Sequence, residues 1–397
     1  MSPTQNSIGS GRYLDIKTLL RSPAAFIFFL QLGVFLACTP LTMRGYSDFR
    51  QLYTAGWMVR TGHAGELYNL DAQSQFQQIL IGHPIPPLPF NHLSYESLVL
   101  APLSLLPFRA AYLASAALNF ALLAFAMRLI SPLIAEIAKT WKRLPLPVIL
   151  GTVPIAICLV QGQDSTMLLT LFAAAWSALD SGHEVKAGVL VALTLFKFQF
   201  SIPVFILFLV WRRWRFAGGF ALAALLIVAV SLWITGRDGF LTYMHMLTSM
   251  SVGLTTAADM SKYQISPWMM PNIRGLLDLC LPARAVGIGT AIGSLGVLVY
   301  AALKRPSFPL AVLVAMLVSY HGLIHDACIL QIPILAMLAL RTNPKQTLLA
   351  NAMLVSPAIL FPVGQLYCLM TVPLIWAVPE LAQVTAAGLV PAPAERH

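Results

Sequence analysis

The sequence predicts an all-α, polytopic integral membrane protein, and three observations carry that prediction. Hydrophobic residues fill 58% of the 397 positions while charged residues fill 10%, against roughly a quarter charged in a soluble domain. Most side chains must therefore face lipid or one another. Twelve apolar runs follow one another along the whole chain, and the Lys and Arg behind the net charge of +10 gather in short connections between them. That grouping sets membrane topology, so no nucleic-acid role follows from the basic balance.

The runs lie near 24–43, 95–107, 110–130, 146–160, 165–180, 187–210, 216–235, 285–303, 309–324, 327–340, 347–361 and 363–387, giving about 11–13 transmembrane helices. Several are shorter than the roughly 20 residues a straight span requires, which implies local thinning, shared depth or re-entrance. Residues 1–21 form a polar tail carrying Arg12, Lys17 and Arg21, and the run after it is long enough to be an uncleaved first helix. Compact basic loops at Arg212-Arg213-Trp214-Arg215, at Lys304-Arg305 and at Arg341 with Lys345 belong on the cytoplasmic side. Twelve spans with the amino terminus inside satisfy all three and return the short tail 388–397 to the same side. The loop 131–144, with Lys139, Lys142 and Arg143, objects to that count. It moves inside if 95–107 is re-entrant and 187–210 is a broken hairpin at Lys197-Phe198-Gln199.

Both arrangements place two long connections outside, 44–94 and 236–284, within a single membrane domain spanning 1–397. In the first, Phe49, Leu52, Tyr53, Gly56 and Trp57 recur at the spacing of one helix face, predicting an amphipathic interfacial helix. Ser47 is a suitable N-cap and Gly62 a suitable stop. Asp48 then falls in the first turn, at the positive end of the helix dipole. On spacing alone such an acid needs no further role. In the second connection, Met244, Met246, Met250, Met269 and Met270 suit either a greasy groove or ordinary packing. Cys38, Cys158, Cys280, Cys328 and Cys368 are scattered without ligand spacing.

Several short pieces resemble one family in the right order. Asp48-Phe49, Tyr53, Ala55-Gly56, Gly62 and Leu67-Tyr68 are similar to the first-loop signature of glycosyltransferase family 87, polyprenol-phosphate-mannose-dependent mannosyltransferases with the GT-C fold. Leu100-Ala101-Pro102-Leu103, Leu106-Pro107-Phe108-Arg109-Ala110-Ala111-Tyr112 and Gly162-Gln163-Asp164 resemble later elements. Ala187-Gly188 leading to Lys197, then Arg212-Arg213-Trp214-Arg215, and finally Ser319, His321, His325-Asp326, Leu330 and Pro333 complete the set. Two departures bear on donor and acceptor identity: Tyr95-Glu96-Ser97 stands where many members carry Tyr-Pro-Pro, and Lys197-Phe198 replaces Lys-Pro.

The resemblance implies transfer of a sugar, mannose-like, from a polyprenyl-phosphate donor to an acceptor hydroxyl on the outer face of a bacterial plasma membrane. No cofactor and no tightly held metal is implied; a loosely bound divalent cation stays open. An activated phosphodiester leaves readily, so the chief need is a base for the hydroxyl, and Asp48 is the candidate. Donor or acceptor contacts are expected among His325, Asp326, His321, Lys197, Arg274, Tyr53, Glu96 and Gln163. His321 and His325 are four apart and would share a helix face. Lys197 could snorkel, pair with an acid or meet the phosphate; Arg274 suits a solvated loop charge, and Gln163 with Asp164 a turn or helix cap. Glu96 reads equally as a second acid at the site or as the outer end of its helix. The rival readings are a transporter or flippase of lipid-linked sugars and an outer-face polysaccharide ligase or polymerase.

Overall fold

The computed structural model describes residues 23–139, 152–250, 263, 265–340 and 343–384. The chain is helical, with no strand among the described residues. Helix α1 (Pro23–Thr42) is followed by α2 (Phe49–Arg60), α3 (Leu70–Ile81) and α4 (Tyr95–Leu100), the last continued by a 3₁₀ turn over Ala101–Leu105. Next come α5 (Phe108–Leu129), α6 (Ser131–Ala138), α7 (Val153–Gln161), α8 (Ser165–Asp180), α9 (Glu184–Ala192), α10 (Phe198–Val210) and α11 (Trp214–Met250). The C-terminal half holds α12 (Ile273–Cys280), α13 (Ala283–Ala302), α14 (Phe308–Val318), α15 (Gln331–Leu340), α16 (Pro344–Leu360) and α17 (Thr371–Val384).

Four helical stretches are long and apolar enough to cross a membrane, at 108–129, 214–250, 283–302 and 363–383, and the bent pair α9–α10 makes a fifth. The protein is thus a multi-pass membrane protein. Five further apolar helices of 10–17 residues accompany the spans, which is where the short runs of the sequence have gone. Lipid-facing and buried helices separate by exposure. On α13, Ile288, Ile292, Leu295 and Val299 form an exposed apolar stripe, which water would not tolerate over such a length. By contrast α14 is apolar on every side and buried from Phe308 to Leu317, as a central helix must be. The 3₁₀ turn over Ile324–Leu330 is buried at all seven positions.

Small residues let two helices meet at backbone distance. A Cβ built on Gly188 of α9 would lie 2.1 Å from the Phe216 carbonyl oxygen, and one on Gly219 of α11 would lie 2.3 Å from that of Val185. Close small-residue crossings are a recurrent way for membrane helices to gain contact where no hydrophobic force drives them together.

Several local expectations change in the folded chain. Asp48, not Ser47, occupies the position before α2, and it caps no amide; the Ser47 hydroxyl is buried without a partner. Gly62 does turn the chain just after α2, with φ +88°. Helix α2 is buried from Phe49 to Gly56, and Met58 with it, so it packs into the domain rather than floating on an open interface. The 187–210 run is broken, bending by 57° between Glu184–Ala192 and Leu195–Val210, with Lys197 in the 3₁₀ turn just after the break. Helix α11 runs on to Met250, interrupted at Gly236 (φ +69°), so the start of the 236–284 connection is helical. There Met246, Met250 and Met270 are buried and Met244 is exposed. Lys142 and Arg143 lie outside the described residues.

Candidate active site

A cavity of about 240 Å³ opens beside the start of α2. Asp48, Gln163, Lys197, His321, His325 and Asp326 line it, joined by Gln51, Asn91, His92, Gln161, Gln199 and Tyr263. These come from the first long connection, from the breaks between α7 and α8 and between α9 and α10, from position 263 and from the segment after α14.

Asp48 is half-buried. Its amide donates to Gln161 Oε1 at 3.1 Å, and its Oδ2 accepts from Gln163 Nε2 at 2.7 Å. Unlike Asp326, the other acid lining the cavity, it belongs to no ion pair among the described residues. Gln161 ends α7, and Gly162 follows in the left-handed conformation (φ +62°), reversing the chain so that Gln163 reaches Asp48.

Behind this surface lies a buried charge network. Lys197 Nζ donates to Asp326 Oδ1 at 2.6 Å, to Ser165 Oγ at 2.7 Å and to Gln163 Oε1 at 3.5 Å, and it pairs with Asp164 Oδ1 at 2.7 Å. Its side chain is 3% exposed, so of the roles open to it in sequence, pairing with acids is the one adopted. Asp326 also accepts from Ser165 Oγ at 2.7 Å and from the Leu323 amide at 2.9 Å. Asp164 stands at the start of α8 but caps no amide. Burial alone would raise its carboxyl, yet Lys197 and His92 hold it well below the usual carboxylate range.

His92 was not evident in the sequence. Its Nδ1 is 2.6 Å from Glu96 Oε2 and 3.2 Å from Asp164 Oδ2. Burial opposes its charge, but the two carboxylates outweigh that and push it up to about 10. The one available signal was the His92–Glu96 spacing of four, which permits contact within a helical turn. His92, Glu96 and Asp164 place three ligand atoms within 4.8 Å of one another, a spacing a metal can use. Among the described residues Lys197 lies 2.7 Å from Asp164 and Glu96 engages the imidazole.

His321 and His325 share the cavity without sharing a helix. Helix α14 stops at Val318, leaving His321 in the following loop and His325 in the 3₁₀ turn. Burial and the nearby Arg274 charge push His321 down to about 3, so it is neutral, and its Nδ1 is buried without a partner. His325 Nε2 lies 3.6 Å from Asp326 Oδ1.

Three expected site residues stand outside the lining. Tyr53 donates from its hydroxyl to the Leu106 carbonyl at 2.8 Å and packs edge-on against Phe108. Glu96 is fully buried behind His92. Arg274 is buried rather than solvated; its Nη1 donates to the Tyr320 carbonyl at 2.9 Å, which braces the loop carrying His321.

Fold and cavity together define a multi-pass helical membrane protein with a polar, carboxylate-bearing cavity. The family model described as Glycosyltransferase family 87 matches residues 96–325, more than half of the chain, and the chain belongs to that family. It is accordingly a membrane glycosyltransferase. The matched stretch carries Glu96, Gln163, Lys197, Arg274, His321 and His325; Asp48 and Tyr53 precede it and Asp326 follows it. No curated protein and no solved structure matches the chain.

Proposed function

We propose that this glycosyltransferase moves a mannose-like sugar from a polyprenyl-phosphate donor to an acceptor hydroxyl on the outer face of a bacterial plasma membrane, with Asp48 as general base. The observation that supports this most directly is Asp48 itself: a carboxylate lining the cavity, gripped through one oxygen by Gln163 and in no close ion pair among the described residues. A paired carboxylate, as in Asp164 or Asp326, is spent on structure; an unpaired one within reach of a bound hydroxyl can accept its proton.

In the proposed step the acceptor oxygen attacks the anomeric carbon, its proton passes to Asp48, and the bond from that carbon to the phosphate oxygen breaks. Polyprenyl phosphate departs with the bonding electrons. Charge then develops on the phosphate, where fixed N–H donors lower the barrier. His325 and the neutral His321 are the donors we assign to it, since the ammonium of Lys197 is consumed by Asp164 and Asp326.

The test is sugar transfer by the purified protein in lipid, given polyprenyl-phosphate mannose and an extract of native lipids and glycans. Asp48→Asn is expected to lower turnover by about 10²-fold or more while donor binding and thermal stability persist. Unchanged turnover in that variant would exclude Asp48 as the base.

A further inference from the structure

The four residues 161–164 form a turn that is held from two directions. Toward α2, Gln161 Oε1 accepts the Asp48 amide at 3.1 Å and Gln163 Nε2 donates to Asp48 Oδ2 at 2.7 Å. Gly162 lies so close that a Cβ there would sit 2.8 Å from Phe49 Cβ. Toward the buried charges, Lys197 Nζ approaches Gln163 Oε1 at 3.5 Å and pairs with Asp164 at 2.7 Å. The Gln163 backbone is pinned as well: its amide donates to the Cys158 carbonyl at 2.9 Å, and its carbonyl accepts from Asn119 Nδ2 at 3.1 Å.

An amide has one accepting end and one donating end, and this site admits only one orientation. Turned the other way, the Gln163 NH₂ would face the Lys197 ammonium, donor against donor, and its oxygen would face the Asp48 carboxylate. We infer that Gln163, oriented by Lys197, is a positioning residue that fixes the Asp48 carboxylate: one Asp48 oxygen is tied down and the other is left for the acceptor hydroxyl. This rests on Asp48 being the base, and it takes Gln163 and Lys197 out of the set of substrate contacts. The bond from the Asp48 amide to the Gln161 side chain, the close approach of Gly162 to Phe49 and the backbone bonds of Gln163 to Cys158 and Asn119 make the arrangement rigid, which proximity catalysis requires, since a misplacement of about 1 Å can cost about 10²-fold in rate.

Two variants test it, each checked for unchanged thermal unfolding in lipid. Gln163→Leu removes the grip; turnover with polyprenyl-phosphate mannose is expected to fall about 10- to 100-fold with KM for that donor unchanged. Gln163→Glu keeps the shape but sets two carboxylates 2.7 Å apart, where they must share a proton. The acid limb of its rate profile is expected to move up by about one pH unit or more. Infrared titration reads the same shift without substrate, on the protonated-carboxyl band identified by its loss in Asp48→Asn.

An unmoved infrared midpoint in Gln163→Glu overturns the inference. So does a Gln163→Leu enzyme with raised KM and intact kcat, which would make Gln163 a substrate contact. Normal turnover by Asp48→Asn would instead defeat the base assignment, and the infrared midpoint would still report whether Gln163 grips Asp48.

Discussion

Replacing Lys197 by Met removes one buried charge and little volume, and the structure fixes what that should cost. The ammonium is 3% exposed and lies within 2.7 Å of carboxylate oxygens on both Asp164 and Asp326. Without it, Asp164 retains His92 at 3.2 Å, but Asp326 keeps only the Ser165 hydroxyl, the Leu323 amide and the more distant His325. Breaking a buried pair by deleting one partner costs about 3–5 kcal/mol, because the surviving charge stays desolvated and unpaired. At about 1.4 kcal/mol per tenfold, the folded-to-unfolded ratio should drop by roughly two to three and a half orders of magnitude. Reversible unfolding in mixed micelles, followed by circular dichroism, measures it. The double variant Lys197→Met with Asp326→Asn removes the orphaned charge and should be more stable than Lys197→Met alone, with a coupling of about 0.5–3 kcal/mol. A single variant within about 1 kcal/mol of wild type, or a double variant no better than the single, would refute the claim that this network is held by charge compensation.

Gly188→Ala should destabilise by about 1–3 kcal/mol or more, since its Cβ would sit 2.1 Å from the backbone oxygen of Phe216 and no side chain can move aside; Gly218→Ala, with nothing within 4 Å, is the control, and thermal unfolding of the two in lipid should separate them. His92 gives a pH dependence whose sign follows from its partners. Its folded pKa is raised to about 10 from about 6.5 in an unfolded chain, so its stabilisation is complete below about 6.5 and is lost as pH rises toward about 10. Comparing thermal unfolding of wild type and His92→Gln across that range should show the wild-type advantage shrinking as pH rises; an advantage that stays constant would show that His92 is not held as a cation.

Part of the site could be read from the chain and part could not. Asp48, Gln163, Lys197, His321, His325 and Asp326 were all candidates, and the fold brings them to one cavity. Each announces itself locally, as an ionisable or amide side chain in or beside an apolar run where such groups are costly. Tyr53 and Arg274 carry the same local signal and stand outside the cavity, bonded to the carbonyls of Leu106 and Tyr320. Nothing in their neighbourhood distinguishes a side chain that faces a cavity from one that braces its wall. His92 shows the reverse: a histidine in an ordinary polar stretch, given its place by an acid 72 positions away at Asp164.

What the sequence determined by itself is the solvent of this protein and the helical state of its segments, because a chain 58% hydrophobic must satisfy its backbone within each segment once it enters lipid. It also marked the stop of helix α2 at Gly62, since φ +88° is a conformation glycine adopts at little cost. The tertiary structure alone decided which acids are paired and which is free. Lys197 reaches Asp326 across 129 positions and Gln163 reaches Asp48 across 115, and no periodicity encodes such distances. The ammonium neutralises the carboxylates that packing brings to it, while Asp48, held from the far side of the Gln163 amide, stands outside that pairing.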